Sequence, residues 1–105
     1  MTDRELLELA AKEAGYTCVW GQPGGVLWWR IDPDTARIWN PLADDGDAFR
    51  LAVKCFLVID IGPVSVSVHE NNGRRDIGFE WHGYDPNAAT RRAIVRAAAK
   101  MYKET

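Results

Sequence analysis

Val64-Ser65-Val66-Ser67-Val68-His69-Glu70-Asn71-Asn72-Gly73-Arg74-Arg75-Asp76-Ile77-Gly78-Phe79-Glu80-Trp81 is the stretch from which the fold is read. Valine and serine alternate over residues 64–68, the two-residue period of a strand with one face buried. Asn72-Gly73 is a strong signal for a two-residue hairpin turn, because both residues tolerate positive φ. Such a turn pairs Val68 with Ile77, Val66 with Phe79 and Val64 with Trp81, three apolar pairs on one face. The other face then carries Ser65 with Glu80, Ser67 with Gly78 and His69 with Asp76. A slip of one residue would undo this sorting, so the pattern predicts a fixed register.

On the N-terminal side of the hairpin, residues 57–61 are apolar and β-branched; they form a further strand or the lead-in to this one, with Gly62-Pro63 as a break. On the C-terminal side, Asp85-Pro86 opens a helix, with Asp as N-cap and Pro at the first helical position. Its apolar arc is Ile94, Val95, Ala97, Ala98, Ala99, Met101 and Tyr102, opposite a stripe of Arg92, Arg96, Lys100 and Lys103. Residues 45–56 predict a second helix, burying Ala48, Phe49, Leu51, Ala52, Val53, Cys55 and Phe56. Residues 3–14 predict a third, with Leu6, Leu7, Leu9, Ala10, Ala11 and Ala14 on one arc, a cap at Thr2 or Asp3 and a stop at Gly15. Strands are expected at 16–20 and 25–31, around Gly21-Gln22-Pro23-Gly24-Gly25, and an irregular segment at 32–43 with turns at Asp32-Pro33 and Asn40-Pro41. Trp28 and Trp29 are neighbours, so a strand points them to opposite faces; that predicts a sheet covered on both sides. The expected architecture is an α+β, three-layer α/β/α sandwich around a mostly antiparallel sheet, in the order α-β-β-α-β-β-α, with residues 1–105 as a single domain.

The totals agree with that reading. A chain of 105 residues buries roughly two thirds of the surface its unfolded form exposes. With 47% hydrophobic and 27% charged residues it has the composition of a globular protein. A formal charge of −2 argues against a global attraction to nucleic acid or an anionic membrane. Cys18 and Cys55 lack metal-ligand or redox spacing and are expected as buried free thiols in a reducing cytosol. No apolar run approaches the ~18 residues of a membrane span, and the N-terminus carries charge from its third residue. A cytoplasmic location is therefore expected, with no membrane association.

Two segments carry a resemblance. Trp39-Asn40-Pro41-Leu42-Ala43-Asp44-Asp45-Gly46-Asp47-Ala48-Phe49-Arg50-Leu51-Ala52-Val53-Lys54 resembles the central motif of the phage ABA sandwich domain family, and residues 85–99 resemble its C-terminal helix. With the opening helix, the likeness spans nearly the whole chain. It implies a sheet between helices in a small bacteriophage or prophage protein in the cytoplasm of an infected bacterial host. The family brings no assigned activity, so no catalytic residue is carried over.

Several constellations could carry chemistry. Asp44-Asp45-Gly46-Asp47 has the carboxylates of a cation site but not the ligand spacing of an EF-hand loop; a capped helix start explains it as well. His69, Asp76, Glu80 and His82 fall on the polar face of the hairpin by parity, an arrangement open to a general base or a small ligand. No motif places a nucleophile beside them, and solvated cross-strand contacts are the alternative. The glycines at 21–25 lack the Lys and following helix of a phosphate loop. No cofactor, metal site or catalytic residue is expected. Arg91, Arg92, Arg96 and Lys100 make the last helix locally basic, suited to an acidic protein or, less well, to nucleic acid; the solvated side of an amphipathic helix is the blander account. Five tryptophans exceed what one small core takes easily, so Trp39, with Asn40 beside it, is expected at a partner or homodimer contact, a lid over the core being the alternative. The expected function is a phage accessory protein that binds another protein, in the manner of an inhibitor of host defence. The alternatives are a small-ligand binder or enzyme on the histidine face and a nucleic-acid binder.

Overall fold

The computed structural model describes residues 1–21, 27–32, 35–71 and 76–104. Its elements are α1 (Asp3–Ala14), β1 (Thr17–Trp20), β2 (Leu27–Asp32), β3 (Thr35–Ile38), α2 (Asp45–Lys54), β4 (Val58–Ile61), β5 (Ser65–His69), β6 (Asp76–Trp81) and α3 (Pro86–Lys103). The protein is α+β, and the four strand pairings among the described residues are all antiparallel. The strands form two three-stranded sheets, β1-β2-β3 and β4-β5-β6, in place of a single one. Two strands beyond the expected order account for this. Within residues 57–61, Val58–Ile61 forms a strand, and Thr35–Ile38 pairs with β2 inside the segment read as irregular. The hairpin turn at Asn72-Gly73, most of the loop at 21–25, Pro33 and the Trp29 side chain lie outside the described residues.

Local chemistry fixes the helix ends. Thr2 and Glu5 form a reciprocal capping box at α1, whose C-cap Gly15 takes φ 76°, a left-handed conformation that costs glycine little. Asp44 accepts from the Asp47 N–H at the start of α2, and Asp85 accepts from Ala88 before Pro86 at the start of α3. α3 packs against α1, α2, β5 and β6. Its Ala93, Ile94, Val95 and Ala97–Ala99 are therefore buried together with Val66, Val68 and Leu51.

The hairpin register departs from expectation. His69 pairs with Asp76 as expected, but a bulge follows, and Val68 faces Gly78, Ser67 faces Phe79, Val66 faces Glu80 and Ser65 faces Trp81. The cause is α3. A Cβ on Gly78 would collide with the Ala93 carbonyl, so the strand presents its glycine where the helix backbone approaches. The slip keeps both Ile77 and Gly78 buried and turns Phe79 and Trp81 outward, where they are 40% and 70% exposed.

The two-sided cover expected for β2 is also absent at Trp28. Val19, Trp28 and Ile38 form a row across the first sheet and are 52%, 36% and 48% exposed. Trp28 lies instead over Gly21, where any Cβ would meet the indole.

Candidate functional site: the groove between α3 and β6

The expected site residues separate once placed. Trp39 is 1% exposed, in edge-to-face contact with Tyr16 at a centroid distance of 5.7 Å. It is a core residue, which agrees with the alternative of a lid over the core rather than with an exposed contact. Asn40 is structural: its side-chain oxygen accepts from Leu42 N–H at 3.1 Å, and its own N–H donates to Asp47 at 3.0 Å. Arg91 donates to the Leu42 carbonyl at 2.9 Å and to Asp45 at 2.6 Å, tying α3 to the start of α2. Arg92 reaches Asp3 at 2.7 Å and Glu80 at 3.4 Å. These two arginines are spent on the fold.

Arg96 and Lys100 remain available. With Lys103 they line an open groove of about 820 Å³ between the C-terminal half of α3, the start of β6 and the start of α1. Three cations at i, i+4 and i+7 share one side of the helix. Its apolar wall is Leu6, Ile77, Phe79 and Ala99. Phe79 stands edge-to-face to the exposed Trp81 at 5.1 Å. Arg96 has a 3.6 Å contact with Glu80 and is still 49% exposed along its side chain. Asp76 and Glu104 also line the groove, leaving it one positive charge in excess. Asp76 in turn lies 2.7 Å from His69 Nδ1. That nitrogen makes no well-aligned hydrogen bond.

The histidine face does not assemble. The bulge puts Glu80 on the side of β6 that meets α3, where Arg92 and Arg96 neutralise it. His82 Nε2 lies 2.7 Å from the Gly62 carbonyl and donates to it, while Nδ1 is buried and without a hydrogen-bond partner. His82 lines a second, smaller cavity with Trp81, Tyr84 and Arg92, whereas His69 lines neither. The four residues expected on one polar face are thus divided between two faces of the hairpin.

Sequence reasoning missed Asp47. It is 3% exposed and accepts from Arg37 at 2.9 Å, from Arg50 at 2.8 Å and from the Asn40 N–H. Burial pushes its pKa up, but the Asn40, Arg50 and Arg37 hydrogen bonds outweigh that and hold it below the ordinary 3.8. The Asp44–Asp47 cluster is therefore a cap and an internal ion-pair hub. The two thiols are free, and burial raises both to about 11.

No family model, curated protein or solved structure matches this chain. No helix among the described residues is long and apolar enough to cross a membrane.

Proposed function

We propose that this chain is a binding protein whose groove between α3 and β6 takes an acidic segment of a partner protein that also carries apolar side chains. The observation that carries the reading is Arg96, Lys100 and Lys103 set over the Leu6, Ile77, Phe79 and Ala99 wall. Cations over an apolar floor favour carboxylates joined to hydrophobic groups. Trp81, 70% exposed and edge-to-face to Phe79 of that wall, supplies the kind of aromatic anchor on which interface energy concentrates. The resemblance to small phage proteins points to a bacterial or phage protein as partner, with inhibition of a host defence system as the form of action.

The test is capture from a bacterial host lysate on immobilised protein, followed by titration with the purified partner. A stoichiometric partner is expected, held less tightly as salt rises. Lys100→Glu with Lys103→Glu should weaken it roughly tenfold or more, and Trp81→Ala by a similar factor. Circular dichroism checks that the variants fold. A folded protein that captures nothing, or a partner indifferent to both changes, overturns the proposal.

A further inference from the structure

β6 is an edge strand. In the order β4-β5-β6 it pairs with β5 alone, and the groove runs along its other side, lined by Asp76, Ile77, Gly78 and Phe79. The ladder tells which backbone groups face that side. The His82 N–H donates to the Val64 carbonyl at 2.9 Å, so these two are a hydrogen-bonded pair in register with Val66–Glu80 and Val68–Gly78. Bonded and non-bonded pairs alternate along an antiparallel ladder, so Ser67–Phe79 and Ser65–Trp81 are the pairs that do not bond each other. Ser65 accordingly turns away from β6, its carbonyl accepting from the Gly62 N–H at 2.8 Å just past β4. Phe79 and Trp81 turn their N–H and C=O groups outward, and these have no backbone partner among the described residues. Native edges are commonly guarded by lysine, proline or a free charge on the strand. β6 has no lysine or proline, and both of its carboxylates are engaged, Asp76 beside His69 and Glu80 with Arg92 and Arg96. Its bulge lies near Ile77 and leaves residues 78–81 in regular pairing.

We infer that the acidic partner segment docks as an added antiparallel strand on the open edge of β6; this rests on the groove reading given above. The register then fixes the composition of the segment, because residues paired across strands share a face. Glu80 lies on the α3 side of β6, in contact with Arg92 and Arg96, so Phe79 and Trp81 lie on the other. Segment residues bonded directly to Phe79 and Trp81 stand beside those two exposed rings and are apolar. The residues between them face α3, where Arg96, Lys100 and Lys103 take carboxylates. The segment therefore alternates apolar and acidic side chains. Its antiparallel fit continues the pairing of every described strand pair. A second copy of this chain fits less well. Joining two β6 edges about a two-fold axis sets the cationic sides of the two α3 helices against each other, and like charges across an interface oppose association.

The probe is a short synthetic peptide of alternating valine and glutamate with blocked ends, titrated by calorimetry into the full chain. Binding is expected, weakened by salt and by Lys100→Glu with Lys103→Glu. Amide exchange should show the Phe79 and Trp81 N–H groups newly protected in the complex. Methylating the peptide's backbone nitrogens separates strand addition from other modes. In the antiparallel fit the valine N–H groups donate to β6 and the glutamate N–H groups point away. N-methylvaline should therefore weaken binding about tenfold or more, and N-methylglutamate by no more than about twofold. A peptide that responds to the lysine changes but tolerates both methylated forms overturns strand addition and leaves the groove reading standing. A peptide that binds with indifference to the lysine changes overturns both. A folded protein that binds no peptide overturns the alternating strand as occupant, as does protection of the Phe79 and Trp81 amides that grows with protein concentration alone; capture from lysate then decides the groove reading separately.

Discussion

Asp47 shows how a single carboxylate organises the middle of the chain. It joins β3 through Arg37, the turn at Asn40 through a backbone N–H, and α2 through Arg50. Asp47→Asn should cost about 2 kcal/mol in urea unfolding; this is below the ~3–5 kcal/mol of a fully buried pair because both arginines are partly solvated. The pH dependence follows in sign. The folded pKa lies below the unfolded value, so the carboxylate contributes stability above pH 3.8 and loses it as pH falls through the folded pKa. The acid limb of a stability-against-pH curve should flatten in Asp47→Asn. Trp39→Ala should cost about 3–5 kcal/mol, the range for emptying a buried tryptophan site. The role of Asp47 was not legible, and that of Trp39 only as an alternative. An Asp three positions after an N-cap looks like first-turn charge, and nothing local says that Arg37 folds back onto it. Trp39 stood in a segment without strand periodicity, and its burial depends on Tyr16, 23 positions earlier.

Among the elements, the ends were easier to read than the pairings. Thr2, Asp44 and Asp85 cap where the sequence says, because a cap is decided within four residues. β3 was missed because Thr35–Ile38 is four residues long and follows an Asp-Pro turn signal. The hairpin register expected from an Asn72-Gly73 turn and from apolar pairing gives way to helix packing at Gly78. A glycine inside a strand was the available warning of a bulge or a close approach. Gly78→Ala should cost about 2 kcal/mol or more, since the new methyl group meets backbone. Adding Ala93→Gly should not rescue it, because the obstacle is the residue 93 carbonyl and not its side chain. Recovery in the double variant, read from denaturation midpoints, would refute that account. The α2 arc was misjudged for a related reason. Periodicity marks which residues share a side of the helix but not how wide a strip the neighbours cover, and only Ala48, Leu51, Ala52 and Cys55 are covered.

For the whole molecule, the α+β class followed from the alternation of periods along the chain, and the basic stripe of α3 gave half of the candidate site. The other half comes from α1 and β6, whose meeting at the groove no local pattern announces. With pKa values of about 11, Cys18 and Cys55 should present roughly a thousandth of their thiols as thiolate at pH 8. Thiol-disulfide reagents should therefore modify the native protein far more slowly than the unfolded chain; rapid modification without loss of structure would contradict the burial assigned to them.

The two sheets share no strand; among the described residues α3 packs directly on β5 and β6, and β1 of the first sheet packs on α1. Such an arrangement predicts two cooperative units of unequal strength. Amide hydrogen exchange should report β1–β3 opening at a lower free energy than β5, β6 and α3, in steps short of global unfolding. Cys18 on β1 and Cys55 at the end of α2 then time different events: the first thiol becomes reactive when the outer sheet peels away, the second only when the helices part.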